Sequence, residues 1–120
     1  MKHLFKSALL LSLGWNIFLV IGVITNQEYA ITRAAGGQYE TFPTGIRIAY
    51  CVTLAILIFQ SQILFTQKRW PRALYATFFF LGCSSVLVNG ISRSADERWN
   101  VIPAAVIAYA FFKEWKQKAN

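Results

Sequence analysis

Charged residues are scarce in this chain. Asp, Glu, Lys and Arg make up 14% of its 120 residues, whereas a soluble domain carries roughly 25%. Hydrophobic residues make up 56% and aromatic residues 16%. This deficit argues against an ordinary soluble domain and indicates a chain composed mostly of membrane-spanning helices.

The side chains that most often carry catalysis are also few. His3 is the single histidine and precedes the first apolar run, so haem ligation or proton transfer by histidines inside a bundle has no residues to use. Cys51 and Cys83 lack the Cys-x-x-Cys spacing of membrane thiol oxidation, and we expect them to be small packing residues. No carboxylate lies deep in an apolar run, which argues against a proton-coupled exporter. The sequence therefore predicts no catalytic centre, cofactor or metal.

Four apolar segments are present instead. About 20 predominantly apolar residues are needed to cross the hydrocarbon core of a bilayer, and the fourth segment reaches that length if its helix begins near Ala95. The sequence thus predicts an all-α fold: a single domain over residues 1–120, forming an integral membrane four-helix bundle in up-down-up-down order. The first segment resembles a signal peptide, but it is long and lacks a convincing cleavage site before Asn26, so we expect it to be retained. The predicted spans are residues 4–25, 46–66, 73–91 and 95–115.

Basic residues divide unequally between the two sides of this bundle. On the side of the 26–44 loop, four basic residues are cancelled by four acidic ones, whereas the other side holds eight basic residues and one acid. Because cytoplasmic loops carry the excess of Lys and Arg, both termini are predicted to be cytoplasmic. Topology and contact with anionic lipid then account for the net charge of +7 without a nucleic-acid partner. The eight residues are Lys2, Lys6, Lys68, Arg69, Arg72, Lys113, Lys116 and Lys118.

Asn16 is the one amide deep in the first predicted span. An amide without a partner is costly in hydrocarbon, so we expect a hydrogen bond to a neighbouring helix, with ligand binding as the alternative. Gln60 and Gln62 lie nearer the cytoplasmic end of the second span, where water or headgroups would satisfy them. The candidate partners of Asn16 at comparable depth are Thr53, Cys83, Ser84 and Ser85.

The outer loop over residues 26–44 is the longest connection. It contains Gly36 and Gly37, and either a hairpin around these glycines or a short helix over residues 27–35 fits its pattern. Long loops between closely connected helices often act as lids or docking surfaces. A loop with no such role remains an equal alternative.

The densest group of polar residues lies between the third and fourth spans, over residues 89–103. Ser94 and Glu97 form a capping box, which predicts the start of the fourth helix, and Pro103 is expected to bend that helix. We expect Arg47, at the outer end of the second span, to approach the group. Salt bridges would then clamp the outer helix ends; the alternative is a polar binding site. The candidate binding residues are Asn16, Arg47, Asn89, Ser92, Ser94, Glu97 and Arg98, and Arg93, Asp96 and Asn100 belong to the same polar group.

The segment contains, in this order, Asn89, Ser92, Ser94, Glu97 and Arg98, followed by Pro103. This order resembles a pattern in small bacterial four-span inner-membrane proteins of unknown function. The resemblance covers roughly the last two helices. It implies a four-helix fold and the bacterial inner membrane, and it implies no reaction.

Three classes of function fit these features. The first, which we favour, is a non-catalytic accessory or assembly subunit of a larger membrane complex. The second is a homo-oligomeric carrier of a small molecule or lipid, with a polar site at the outer face. The third is an enzyme acting on a lipid or quinone, for which Glu97 is the only plausible acid–base group.

Overall fold

The computed structural model describes residues 3–34, 38–66, 69–92 and 94–117, and every regular element in these ranges is a helix. Three of the helices, α1, α3 and α4, are long and apolar enough to cross a membrane. The all-α prediction is confirmed, and the chain is a helical protein with three candidate transmembrane helices. The helices are α1 (His3–Ile24), α2 (Glu28–Ile31), α3 (Thr44–Phe65), α4 (Arg72–Gly90), α5 (Ala95–Arg98) and α6 (Val101–Gln117).

The predicted continuous helix over residues 95–115 is divided in two. α5 ends at Arg98, Trp99 and Asn100 form a turn, and α6 then runs for 17 residues, about 25 Å at 1.5 Å per residue. Pro103 therefore lies in the first turn of α6, where a backbone N–H would have no partner within the helix. The sequence predicts that Pro103 bends the fourth helix from a position well inside it; that position is wrong, because α6 begins only two residues before Pro103.

The long helices pack side by side in the order α3, α1, α6, α4. The closely packed pairs are α1 with α3, α1 with α6, and α4 with α6. α4 and α6 approach closely at Gly82, where an added Cβ would lie 2.7 Å from the Cβ of Ala108. Ala104 and Ala108 are both buried, so the close-packing face expected from their spacing is confirmed.

α3 and α4 separate from each other along most of their length. Next to the short connection between them, the Phe59 ring lies 5.4 Å from that of Trp70 and 6.0 Å from that of Phe78, measured between centroids. In the described ranges, however, α3 and α4 are not a closely packed pair. A short connection predicts that the two helices it joins are antiparallel neighbours. α3 and α4 touch near their connection and leave a gap beyond it.

The outer end of α1 is fixed by a local turn. Asn26 has a positive φ of 57°, and the Gln27 N–H donates to the Gly22 carbonyl at 2.7 Å, which together form a Schellman-type helix end. The Asn26 side-chain oxygen accepts the Phe42 N–H at 2.9 Å. This bond holds the two ends of the outer loop together.

The outer loop folds back onto α1 and packs there. α2 forms within the range expected for a surface helix, while Gly36 and Gly37 lie outside the described residues. The Tyr29 ring stacks on Phe18 at 4.2 Å, and its hydroxyl donates to the Phe18 carbonyl at 2.7 Å. Because this segment has a small core of its own, it is a packed part of the fold. That core contains Leu19, Val23, Ala30, Ala34 and Phe42.

Candidate functional site

Asn100, in the turn between α5 and α6, joins three parts of the chain. Its side chain is 4% exposed. The side-chain oxygen accepts the indole N–H of Trp15 at 2.8 Å, and the side-chain nitrogen donates to the carbonyl of Arg33 at 3.0 Å. Asn100 therefore connects the middle of α1 with the outer loop at the point where α6 begins.

Ser94 caps α5 and at the same time holds the outer loop. Its hydroxyl accepts the Glu97 N–H at 3.3 Å and donates to the Thr32 carbonyl. The Thr32 hydroxyl in turn donates to Asp96 at 2.7 Å. Glu97 is buried and accepts the hydroxyl of Ser92. The capping role predicted for Ser94 is confirmed, but the helix it starts is the short α5.

Four of the predicted binding residues lie together. Ser92, Ser94 and Glu97 form the hydrogen bonds just described, and the Arg98 side chain donates to the Ser92 carbonyl at 2.8 Å. Arg93, which the sequence places in the same group, lies outside the described residues. The Ser94–Thr32 bond joins this group to the outer loop, and the neighbouring Asn100 bonds to Trp15 of α1. The clamp expected at the outer helix ends stays a prediction.

Arg47 and Asn89 have other partners. The Arg47 side chain donates to the Ile24 carbonyl at 2.7 Å, where a cation stabilises the negative end of the α1 dipole. The expected approach of Arg47 to the outer group is therefore wrong. Asn89 donates to the Ser85 carbonyl at 2.8 Å, within α4.

An open groove of about 580 Å³ borders the Asn100 junction. Trp15 and Trp99 contribute aromatic surface, and Arg33 and Asp96 contribute one charge of each sign. Trp99 is 71% exposed. Such a groove can accommodate a zwitterionic group between its two charges, with an apolar body against the indole rings.

A second cavity, of about 260 Å³, lies among α1, α3, α4 and α6. Asn16 lines it, but the Asn16 side chain donates to the Ser12 carbonyl of its own helix at 2.9 Å. Thr53, expected as a partner, lines the same cavity and bonds to the Ala49 carbonyl at 3.2 Å. The interhelical hydrogen bond predicted for Asn16 is therefore not the one that forms.

Gln60 also lines this cavity, a position that was not predicted from the sequence. It is 7% exposed, in contrast to the water or headgroup contact expected for it. Leu57 and Leu64, one turn before and after it, are both buried. The helical period of these leucines is the signal that places Gln60 on the inner face of α3.

The fold defines a helical protein with three candidate membrane-spanning helices, and in the described ranges no three His, Cys, Asp or Glu side chains gather as a metal site. Comparison with known proteins finds no matching family model, no matching curated protein and no matching solved structure. The resemblance to small bacterial four-span proteins stays a prediction.

Proposed function

We propose that the chain is an integral protein of the bacterial inner membrane in which α1, α3, α4 and α6 all cross the bilayer in up-down-up-down order. α6 packs along both α1 and α4, and this supports its assignment as the fourth span. At 17 residues it is short for a hydrocarbon core of about 30 Å, and the α5 segment extends it on the outer side.

Contacts among basic and aromatic residues support cytoplasmic placement of both termini. The Lys113 ammonium lies 4.8 Å from the centroid of Phe5, and the Arg72 side chain donates to the Trp115 carbonyl at 3.4 Å. These contacts bring the start of α1, the start of α4 and the end of α6 to one end of the protein. An excess of basic residues at one end is typical of the cytoplasmic side; Lys2, Lys68 and Lys118 of this set lie outside the described residues.

Reporter fusions test this topology. A reporter joined after Gly37 is expected to be active outside the cytoplasm, and one joined after Asn120 inside it, because four spans place these points on opposite sides. A fusion after Asn26, which shares the outer side with Gly37, is the control for the reporter. Activity on the same side for Gly37 and Asn120 would contradict the four-span arrangement.

Within the membrane, the protein acts as a non-catalytic accessory or assembly subunit of a larger complex. The observation that carries this proposal is the small-residue face of α3, formed by Gly45, Ala49 and Thr53 at intervals of four. All three residues are exposed, and nothing lies within 4 Å of a Cβ added at Gly45. Small residues at this spacing let another helix approach closely in lipid, where burial of large apolar side chains gives little advantage.

The burial of the helices agrees with this surface. Only 22% of the most apolar stretch of α3 and 11% of that of α4 are buried, compared with 39% for α1. α1 is thus the central helix, whereas α3 leaves most of its surface to lipid or to another protein. The partner that fits is a transmembrane helix with small residues of its own.

Native mass spectrometry of gently solubilised protein, with the variant Ala49→Leu, tests the accessory role. We expect a stoichiometric foreign subunit with the wild type and its loss in Ala49→Leu, because the leucine fills the shallow surface that the partner helix needs. Ala55→Leu is the matched control, since Ala55 is also exposed on α3 but lies off the small-residue face. Thermal unfolding should be the same for all three proteins.

The same spectra test the second candidate, a homo-oligomeric carrier with a polar site at the outer face. The groove with Arg33 and Asp96 favours it, since opposite charges beside exposed indole suit a zwitterionic lipid. A homo-oligomer that retains phospholipid, without a foreign subunit, would support the carrier and contradict the accessory role. A bare monomer would contradict both.

A further inference from the structure

The cavity among the four long helices has a side opening. Its wall includes Ile56 of α3, which is 38% exposed, and Leu81 of α4, which is 48% exposed. Both residues line the cavity, and the helices that carry them, α3 and α4, do not pack closely in the described structure. With these helices in a membrane, the gap connects the cavity with the hydrocarbon of the bilayer.

Gln60 is the feature that distinguishes this cavity from a packing defect. Its side chain is more than nine-tenths buried and forms part of the cavity wall. It makes no hydrogen bond with any part of the chain that the structure describes. A primary amide offers two donors and an acceptor, and the polar atoms of Gln60 are open to the cavity. If only hydrocarbon fills that space, the amide stays unsatisfied, which costs free energy. A group that enters the cavity and bonds to Gln60 recovers that cost.

The cavity wall also restricts the charge of its occupant. Among the described residues that form it there is no Asp, Glu, Lys or Arg, so an ionised group would be buried without a counter-charge, which is strongly unfavourable. Asn16 adds a second amide, and Thr53 and Ser85 add hydroxyl groups, to a wall that is otherwise apolar apart from Gln60. Uncharged oxygen-bearing groups, such as a hydroxyl or a carbonyl, match this lining.

The size of the cavity agrees with a compact group. Its volume of about 260 Å³ is close to that of about nine waters at ~30 Å³ each. This accommodates the head of a small amphiphile, while the side opening leaves room for a tail in the bilayer.

We propose that this cavity binds the uncharged, oxygen-bearing head of a molecule dissolved in the bilayer, with Gln60 as its hydrogen-bonding partner and the gap between α3 and α4 as its entrance. A long-chain alcohol supplies such a head through its hydroxyl, and a quinone with a hydrocarbon tail supplies it through its carbonyls. In both, the group that Gln60 would bind is an uncharged oxygen. Thr53 belongs to both the cavity wall and the small-residue face of α3, whereas Gln60 belongs only to the wall and Ala49 only to the face. Gln60→Leu and Ala49→Leu therefore test the two proposals separately.

Photo-crosslinking in lipid nanodiscs tests the site. The probe is a long-chain alcohol that carries a diazirine next to its hydroxyl, and crosslinked residues are mapped by mass spectrometry. We expect saturable labelling at the facing residues of α3 and α4, reduced by excess decanol but not by decane, which lacks oxygen, or by decanoate, which is charged. Competition by decylubiquinone at lower concentration than decanol would identify a quinone as the preferred source of the oxygen, and the reverse order an alcohol.

Gln60→Leu is the variant that examines the hydrogen bond. Saturable labelling should weaken about tenfold, the effect of one lost hydrogen bond in a binding equilibrium. Thermal stability should be kept, because the replaced amide has no bond to lose in the described structure. Gln62→Leu, the same change at an exposed position of α3, should label like the wild type.

Three outcomes would overturn the proposal. One is labelling spread over lipid-exposed residues without saturation, which would mean that water alone fills the cavity. Another is equal competition by decane and decanol in the wild type, a result that does not depend on the folding of any variant. The third is unchanged labelling in a stable Gln60→Leu protein.

Discussion

Replacing Asn100 by leucine is expected to lower the free energy of unfolding by about 2–4 kcal/mol. The change keeps the approximate volume of the side chain but removes both of its hydrogen bonds. The indole N–H of Trp15 and the carbonyl of Arg33 then lose their partner, and each buried polar group left unsatisfied costs about 1–3 kcal/mol. Unfolding by SDS in mixed micelles measures the difference.

A matched control and a double variant make the Asn100 experiment specific. Asn89→Leu removes an amide that bonds only within α4 in the described structure, and we expect a change of about 0.5 kcal/mol or less. Trp15→Phe removes the donor at the other end of the bond. Because both single changes break the same contact, the double variant should lose less than the sum of the two. Equal effects of Asn100→Leu and Asn89→Leu would contradict the role of Asn100 as a junction.

Replacing Gly82 by leucine should destabilise the contact of α4 with α6 by about 3 kcal/mol, at the upper end of the usual range for an overpacked interior. Even a Cβ at this position would lie 2.7 Å from the Cβ and 3.0 Å from the Cα of Ala108. The obstacle includes backbone, which cannot rotate away as a long side chain would. The two helices would have to separate, and the same SDS titration would detect the loss.

Two further variants examine the reason for the Gly82 effect. Gly14→Leu introduces the same side chain where nothing lies within 4 Å of the added Cβ, so stability should be unchanged or slightly raised by the better helix propensity of leucine. Gly82→Ala should be partly rescued by Ala108→Gly, because the second change removes one of the two colliding methyl groups. Failure of this rescue, or equal destabilisation by Gly14→Leu, would show that close packing at Gly82 is not the cause.

The sequence predicts the helical class and three long helices because apolar runs of about 20 residues are a strong, local signal. The capping role of Ser94 is equally local, since it depends on residues three apart. That pattern does not determine the length of the helix that it begins, so the sequence does not predict the interruption between α5 and α6 at Trp99. The single predicted fourth helix and the role given to Pro103 were wrong for this one reason.

The candidate site was harder to predict because its contacts join distant segments. Asn100 meets Arg33, which is 67 residues away, and Arg47 meets the end of α1, so no local spacing indicates either pair. Gln60 differs from these, because the period of the buried leucines on α3 already marks its face. An amide within an apolar helical face is therefore a readable sign of an internal cavity, whereas the partners of the outer group depend on how the loop folds.

The packing order of the helices also sets the order in which the protein can assemble as it is synthesised. α1 and α3 can pair as soon as both have left the ribosome. α4 follows, but its close partner in the described structure is α6, which is made after it. In the proposed membrane arrangement α4 therefore lacks this partner until α6 is complete. A chain that stops before Val101 would leave α4 without its main contact. Completion of α6 is then the step that gives α4 its close contact and converts a loose set of helices into the final arrangement.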